Sequence, residues 1–265
     1  MDFLNITNKT FFISGVANKK SVAFFSAKTL IENGARCIFS VQADSQVEAV
    51  KKLFPESVVL VCDVENKDHL KSLPTEIKKI TASIDGFLHS LAFANFSEGV
   101  KPFIETKRED YLQAAQISSF SLVEVSHALK ELFTSEASIV TISISNTKAT
   151  SYGYLGPIKA MLDATVPFLA KSFSEFSKVR VNAVGAGPLK TSASAGIPDY
   201  IDNYLFAEEL TLRNQALDTQ EVANTVCFLL SPKSSGINAS TVIVDAGMSS
   251  NYFDQNVVKT FTKNL

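Results

Sequence analysis

Tyr152 and Lys159 are seven positions apart in the stretch SYGYLGPIKAMLDATVPFLAKSF, Ser151 to Phe173. On a helix that offset is nearly two turns, which predicts both side chains on one face. A free phenol ionises near pH ~10, and a fixed ammonium beside it favours the phenolate and lowers that value. Such a pair can hand a proton to a substrate oxygen and stabilise the charge that develops there. Tyr and Lys at this spacing also occur as unrelated surface side chains, so the rest of the chain has to decide between the two readings.

The elements that must position the pair are legible along the chain. Its 265 residues are 46% hydrophobic, enough for a full core. The net charge of −2 gives no bulk attraction to nucleic acid or to an anionic membrane, so neither is an expected partner. Cys37, Cys62 and Cys227 lie in apolar stretches without a CxxC and read as buried thiols. His69, His89 and His127 have no metal-ligand spacing, so no metal is expected. No apolar run is long enough to span a bilayer, and the N-terminus runs into a strand without a signal peptide; a cytoplasmic protein is expected.

Short β-rich runs alternate with helical patterns. TFFISG (Thr10 to Gly15), RCIFSV, SVVLVCDV, IDGFLHSLA, ASIVTIS, VRVNAVGAG and STVIVDAG read as seven strands. Helices are expected from SVAFFSAKTLIENGA, with Ser21 as N-cap, over Thr106 to Phe133, in the Tyr/Lys segment, and from Gln220 to Leu230. Apolar strands separated by helices predict a single α/β domain over residues 1–265, a Rossmann-like, doubly wound parallel sheet covered on both faces. Such sheets bind ligands at the carboxyl ends of their strands.

The first strand-to-helix turn is SGVANKKSVAF. Gly15 permits a sharp turn, and the amides that begin near Ser21 can hold a pyrophosphate. The complete GxGxxG fingerprint is absent, so Gly15 reads equally as a strand end. Gln42 follows the second strand. An acid there would bind the ribose hydroxyls of NAD and a base the extra phosphate of NADP; neutral Gln42 points to NADH rather than NADPH. Asp63 closes the third strand, either to accept from an adenine amino group or to begin a turn.

Taken together, SGVANKKSVA, SVQAD, VCDV, FLHSLAFA, QISSFS, Tyr-x6-Lys, RVNAVGAGPLKTSASAGI and VDAGMS resemble the NADH-dependent enoyl-[acyl-carrier-protein] reductases. These form the divergent branch of the short-chain dehydrogenase/reductase superfamily, whose usual Tyr-x3-Lys is replaced here by the longer spacing. The resemblance implies hydride transfer to the C2=C3 bond of a trans-2-enoyl thioester in fatty-acid synthesis, carried on acyl carrier protein or coenzyme A. It implies Tyr152 hydrogen-bonding the developing enolate and Lys159 holding the nicotinamide ribose. Gly15, Ser21 and Val22 would lie against the pyrophosphate. Gln42, Asp63, Val64 and Leu91 would line the adenosine end, and Pro188, Leu189, Lys190 and Thr191 would cover the nicotinamide. Ala94 would touch the acyl substrate. A homotetramer is implied as well.

The stretch ASAGIPDYIDNYL, with Tyr200, suits a lid over an apolar acyl chain, within a substrate-covering segment of about residues 186–212; the alternative is a plain surface helix. Small residues in QISSFS permit close helix contact, within the subunit or between subunits.

The chain departs from the family's pattern in three places. A second tyrosine usual after strand five is missing, and Ile144 stands near its place with Ser143 and Ser145 beside it. A serine there is what carbonyl reductases of the superfamily use, so reduction of a 3-oxoacyl group is the alternative activity; a nucleotide-binding paralogue without catalysis is the third. Gly156 and Pro157 separate Tyr152 from Lys159, which requires the helix to begin near residue 154 or to kink and brings Tyr154, otherwise expected with Ala94 and Tyr200 to bind substrate, into competition for Tyr152's role. Finally, the lid residues Pro198 to Asn203 are neutral to acidic, which predicts weak attraction to an acidic carrier protein.

Overall fold

A computed structural model describes residues 2–99, 101–191, 194 and 200–262, with Phe261 described by its backbone. The strands are β1 (Thr10–Ser14), β2 (Arg36–Val41), β3 (Val58–Val61), β4 (Ile84–His89), β5 (Phe133–Ile144), β6 (Arg180–Ala186) and β7 (Thr241–Val244). They form one sheet in the order β3-β2-β1-β4-β5-β6-β7, with every neighbouring pair parallel. This is the doubly wound arrangement expected from the alternating pattern, and its order reverses between β1 and β4.

Alternation along each strand divides the core into two layers. Phe11, Ile13, Phe39 and Val140 pack with Leu30 of α1 (Val22–Glu32) and Val226 of α8 (Thr219–Leu230). Phe12, Phe87, Ile139 and Val181 face the other way, against Leu122 of α5 (Ser121–Leu129) and Leu162 and Val166 of α6 (Leu155–Ser174). The remaining helices are α2 (Val47–Leu53), α3 (Lys67–Lys78), α4 (Arg108–Ala115), α7 (Tyr200–Leu210) and α9 (Gln255–Thr262). Ser21 caps α1, its Oγ accepting from the Phe24 N–H at 3.2 Å.

The long helix expected over Thr106 to Phe133 is interrupted. A π turn at Gln116–Phe120 joins α4 to α5, and Phe133 already belongs to β5. The Ser121 hydroxyl donates to the Ile117 carbonyl at 2.7 Å, the kind of back-bonding that distorts a helix. The prolines of α6 are accommodated: Pro157 falls in the first turn, and Pro167 lies on the exposed side of a helix that continues through it. Among the described residues no helix is long and apolar enough to cross a membrane, and no group of three or more His, Cys, Asp or Glu could hold a metal.

Candidate active site

The candidate residues gather along the carboxyl ends of the strands. Gly15 follows β1 at φ +99°, and a Cβ there would stand 2.0 Å from the Ser90 carbonyl oxygen just beyond β4. Glycine is therefore demanded both by the backbone conformation and by the closure of β1 on β4. The Ser21 hydroxyl is engaged in capping, donating to the Asn18 carbonyl at 2.9 Å. The amides of Val22 and Ala23 have no acceptor among the described residues, which leaves the start of α1 open to an anion.

Gln42 is exposed after β2; its N–H and that of Ala43 are held by Gln46 Oε1 at 2.9 and 3.2 Å. Asp63 does begin a turn, its Oδ1 accepting from the Glu65 N–H at 3.0 Å while Oδ2 has no partner among the described residues. Val64 is buried and Leu91 half-buried. This series runs from the open helix start to an exposed neutral side chain after β2, and so fits a dinucleotide laid across the switch between β1 and β4.

Lys159 lies in α6 with only 5% of its surface exposed, and its Nζ donates to the Ile142 carbonyl at 2.8 Å. Burial pushes its pKa down to about 8, against the pull of Asp163 one turn on. Tyr152 is not on that helix. It ends a 3-10 turn, Thr150–Tyr152, and Gly153 at φ +61° breaks the chain before α6 begins at Leu155. As Gly156 and Pro157 require, the helix begins beyond Tyr152, so the phenol and Lys159 are not aligned by two helical turns. The expected lowering of the phenol's pKa is corrected. Burial is the larger effect, with neighbouring Tyr200 adding to it, and the value rises to about 12. Tyr152 is thus a protonated donor at neutral pH, and its hydroxyl has no hydrogen-bond partner among the described residues.

Tyr154, the competitor, is differently placed. Its hydroxyl accepts from the Asn95 N–H at 2.7 Å and donates to the Asn95 carbonyl at 3.2 Å. Both functions of that hydroxyl are therefore engaged. Ala94, beside it, is half-buried. The Tyr200 hydroxyl accepts from the Leu189 N–H at 2.9 Å, and Ser194 Oγ donates to the Leu189 carbonyl at 2.7 Å. Those bonds fasten the segment Pro188 to Thr191, with Lys190 over the ring of Tyr204 at 4.3 Å. Residues 192, 193 and 195–199 of the expected lid, Pro198 among them, lie outside the described residues.

Ile144 ends β5 opposite Ala186, and the Ser145 N–H donates to the Ala186 carbonyl at 2.8 Å. Ser143 is buried, with its hydroxyl towards the Asp163 carboxyl.

One constellation was missed from the sequence. His89, fully buried at the end of β4, has Nδ1 2.9 Å from Thr141 Oγ1 and Nε2 2.7 Å from Ser121 Oγ. Since Ser121 donates to Ile117, it accepts from the histidine, so the proton sits on Nε2 and Thr141 donates to Nδ1. Burial, reinforced by Lys159, pushes the imidazole down to about 3. The signal was a histidine ending an apolar strand, FLHSLAFA, with hydroxyls in ASIVTIS and QISSFS to satisfy it.

Residues 15–249 match the family model described as enoyl-(acyl carrier protein) reductase. Among curated proteins, the chain is 35% identical over 251 residues to the enoyl-[acyl-carrier-protein] reductase [NADPH] FabI of Staphylococcus aureus, covering 92% of this chain and 98% of that one. It is 35% identical over 246 residues to the [NADH] form of Enterococcus faecalis, again covering 92% and 98%. Among solved structures, the Bacillus cereus enoyl-acyl carrier protein reductase with NADP+ and indole naphthyridinone superposes with a TM-score of 0.86 at 33% identity, over 91% of this chain and 96% of that one. With the sheet order and the Tyr-x6-Lys segment, these likenesses establish that the chain belongs to the enoyl-(acyl carrier protein) reductase family.

Proposed function

We propose that this protein reduces the C2=C3 bond of trans-2-enoyl thioesters in fatty-acid biosynthesis. A reduced nicotinamide dinucleotide supplies the hydride when bound. The observation that carries the assignment of roles is the contrast between the two phenols: Tyr152 has an unengaged, protonated hydroxyl, and Tyr154 has both functions occupied.

Tyr152 donates a hydrogen bond to the thioester oxygen as negative charge develops there, an interaction that strengthens towards the transition state. Lys159, held on the Ile142 carbonyl, presents its ammonium to the ribose hydroxyls and keeps a positive charge near the same oxygen. The open amides of Val22 and Ala23 receive the pyrophosphate, and Gln42, neutral and exposed, favours NADH. Leu189 and its neighbours, fastened by Tyr200 and Ser194, cover the nicotinamide side and exclude water.

Two further readings concern partners. Leu112, Phe120, Met161, Phe168 and Phe176 are exposed on and beside α4 and α6, which supports self-association into a homo-oligomer, a tetramer by family resemblance. The three free buried cysteines support a reducing, cytoplasmic setting.

The test is NADH consumption with crotonyl and acetoacetyl thioesters, in the parent and in Tyr152→Phe. Crotonyl turnover should dominate, and Tyr152→Phe should lower kcat by about a hundredfold with NADH affinity retained. Faster acetoacetyl turnover would make the protein a carbonyl reductase, and NADH binding without turnover on either would make it a non-catalytic relative.

A further inference from the structure

Beyond β4 the chain runs through residues 91–98 without strand pairing. Two hydroxyls take the place of a neighbouring strand. The Phe93 N–H donates to Ser118 Oγ at 2.8 Å, and the same hydroxyl donates back to the Phe93 carbonyl at 3.1 Å. The Asn95 N–H donates to Tyr154 Oη at 2.7 Å, and that hydroxyl donates back to the Asn95 carbonyl at 3.2 Å. Each hydroxyl exchanges both bonds with one residue, as a facing residue does in an antiparallel ladder. Positions 93 and 95 are one strand repeat apart, and Ala94 sits between the two clamps.

The clamps come from different elements. Ser118 is fully buried in the π turn, three residues before the Ser121 that binds His89. Tyr154 immediately precedes α6, five residues before Lys159, and its ring is held by Phe96 at 5.8 Å and Tyr111 at 6.3 Å. The segment bearing Ala94 is therefore tied to the residue that opens the helix carrying the ammonium.

We propose that Ser118 and Tyr154 are positioning residues that hold residues 93–95 extended, so that Ala94 forms a fixed wall for the acyl part of the thioester. This rests on the reductase assignment for its kinetic consequence, and on the hydrogen bonds alone for its structural one. Removing the Tyr154 hydroxyl leaves the ring contacts in place and releases Asn95. The segment then samples other conformations, and apparent substrate affinity falls by the fraction of time the wall is misplaced.

The experiment combines steady-state kinetics with residue-resolved amide exchange on Tyr154→Phe and Ser118→Ala. For Tyr154→Phe, KM for crotonyl-coenzyme A should rise about tenfold, more than kcat falls, and exchange at Asn95 should speed up by a similar factor, the loss of two modest hydrogen bonds. Ser118→Ala should do the same at Phe93. Exchange in β1 and β5 should be unchanged in both, which separates a local clamp from general loosening. Unchanged exchange at Phe93 and Asn95, or loss of kcat at unchanged KM in Tyr154→Phe, overturns the proposal. A parent protein without enoyl turnover overturns the reductase assignment instead, and the exchange pattern still judges the clamp.

Discussion

The Nζ of Lys159 stands 2.8 Å from the carbonyl oxygen of Ile142, joining the one buried ammonium described in α6 to the end of β5. That bond fixes where the charge sits but does not cancel the cost of burying it, as its fall from 10.5 to about 8 records. The folded protein releases this proton earlier than the unfolded chain does. Below a pH of about 8 the full penalty acts against folding, and it is relieved as pH climbs from about 8 to 10.5.

Replacing Lys159 with Met should therefore stabilise the protein at neutral pH by roughly 1–3 kcal/mol while abolishing turnover. The gain should shrink as pH rises towards 10.5. Urea unfolding across that range checks it, and a variant less stable than its parent at neutral pH contradicts it.

His89 predicts an acid limb. Its imidazole is held down near 3 in the folded protein against 6.5 in the unfolded chain, so the unfolded chain binds the extra proton between these values. Stability from this group is complete above about 6.5 and falls as pH drops towards 3, at roughly 1.4 kcal/mol for each unit. In His89→Gln this slope should be largely absent, although the variant is less stable near neutrality through lost hydrogen bonds. Equal acid slopes in parent and variant would show that other groups govern the limb.

Gly15→Ala should be among the most damaging small substitutions. The new methyl would meet the Ser90 carbonyl at 2.0 Å in a left-handed backbone conformation. A loss of at least about 3 kcal/mol, or of NADH binding through a displaced β1 turn, is expected. Thermal unfolding and an NADH titration measure the two outcomes separately.

Helix α7 carries Asp202, Glu208 and Glu209 and no Lys or Arg. Attraction of an acidic carrier to this helix is accordingly weak, and kcat/KM for matched carrier-bound and coenzyme A substrates should lie within about tenfold, with little dependence on salt. A strong preference for the carrier form that disappears at high salt would place the docking surface on other elements.

Features set by short-range interactions are legible in this chain's sequence, and those set by long-range contacts are not. The parallel, doubly wound sheet was readable because each β run is short, apolar and followed by a helical pattern. Ser21 was readable as a cap because capping is local. The span Thr106 to Phe133 was misjudged because its apolar spacing does not show that Ser121 bonds Ile117 and opens a π turn. Tyr154 competes with Tyr152 in the sequence because its distance along the chain from Lys159 is similar; that Asn95, far away in sequence, occupies its hydroxyl shows only in the fold.

The sequence by itself determined the doubly wound sheet and the order of motifs that includes the Tyr-x6-Lys pair, since these follow from periodicity and local chain chemistry. The tertiary structure alone decided that burial keeps the proton on Tyr152, with Tyr200 near it, and that His89 is neutral. Protonation is set by how much water the fold removes and by which groups it brings within a few ångströms. Neither quantity is written in the spacing of residues along one chain.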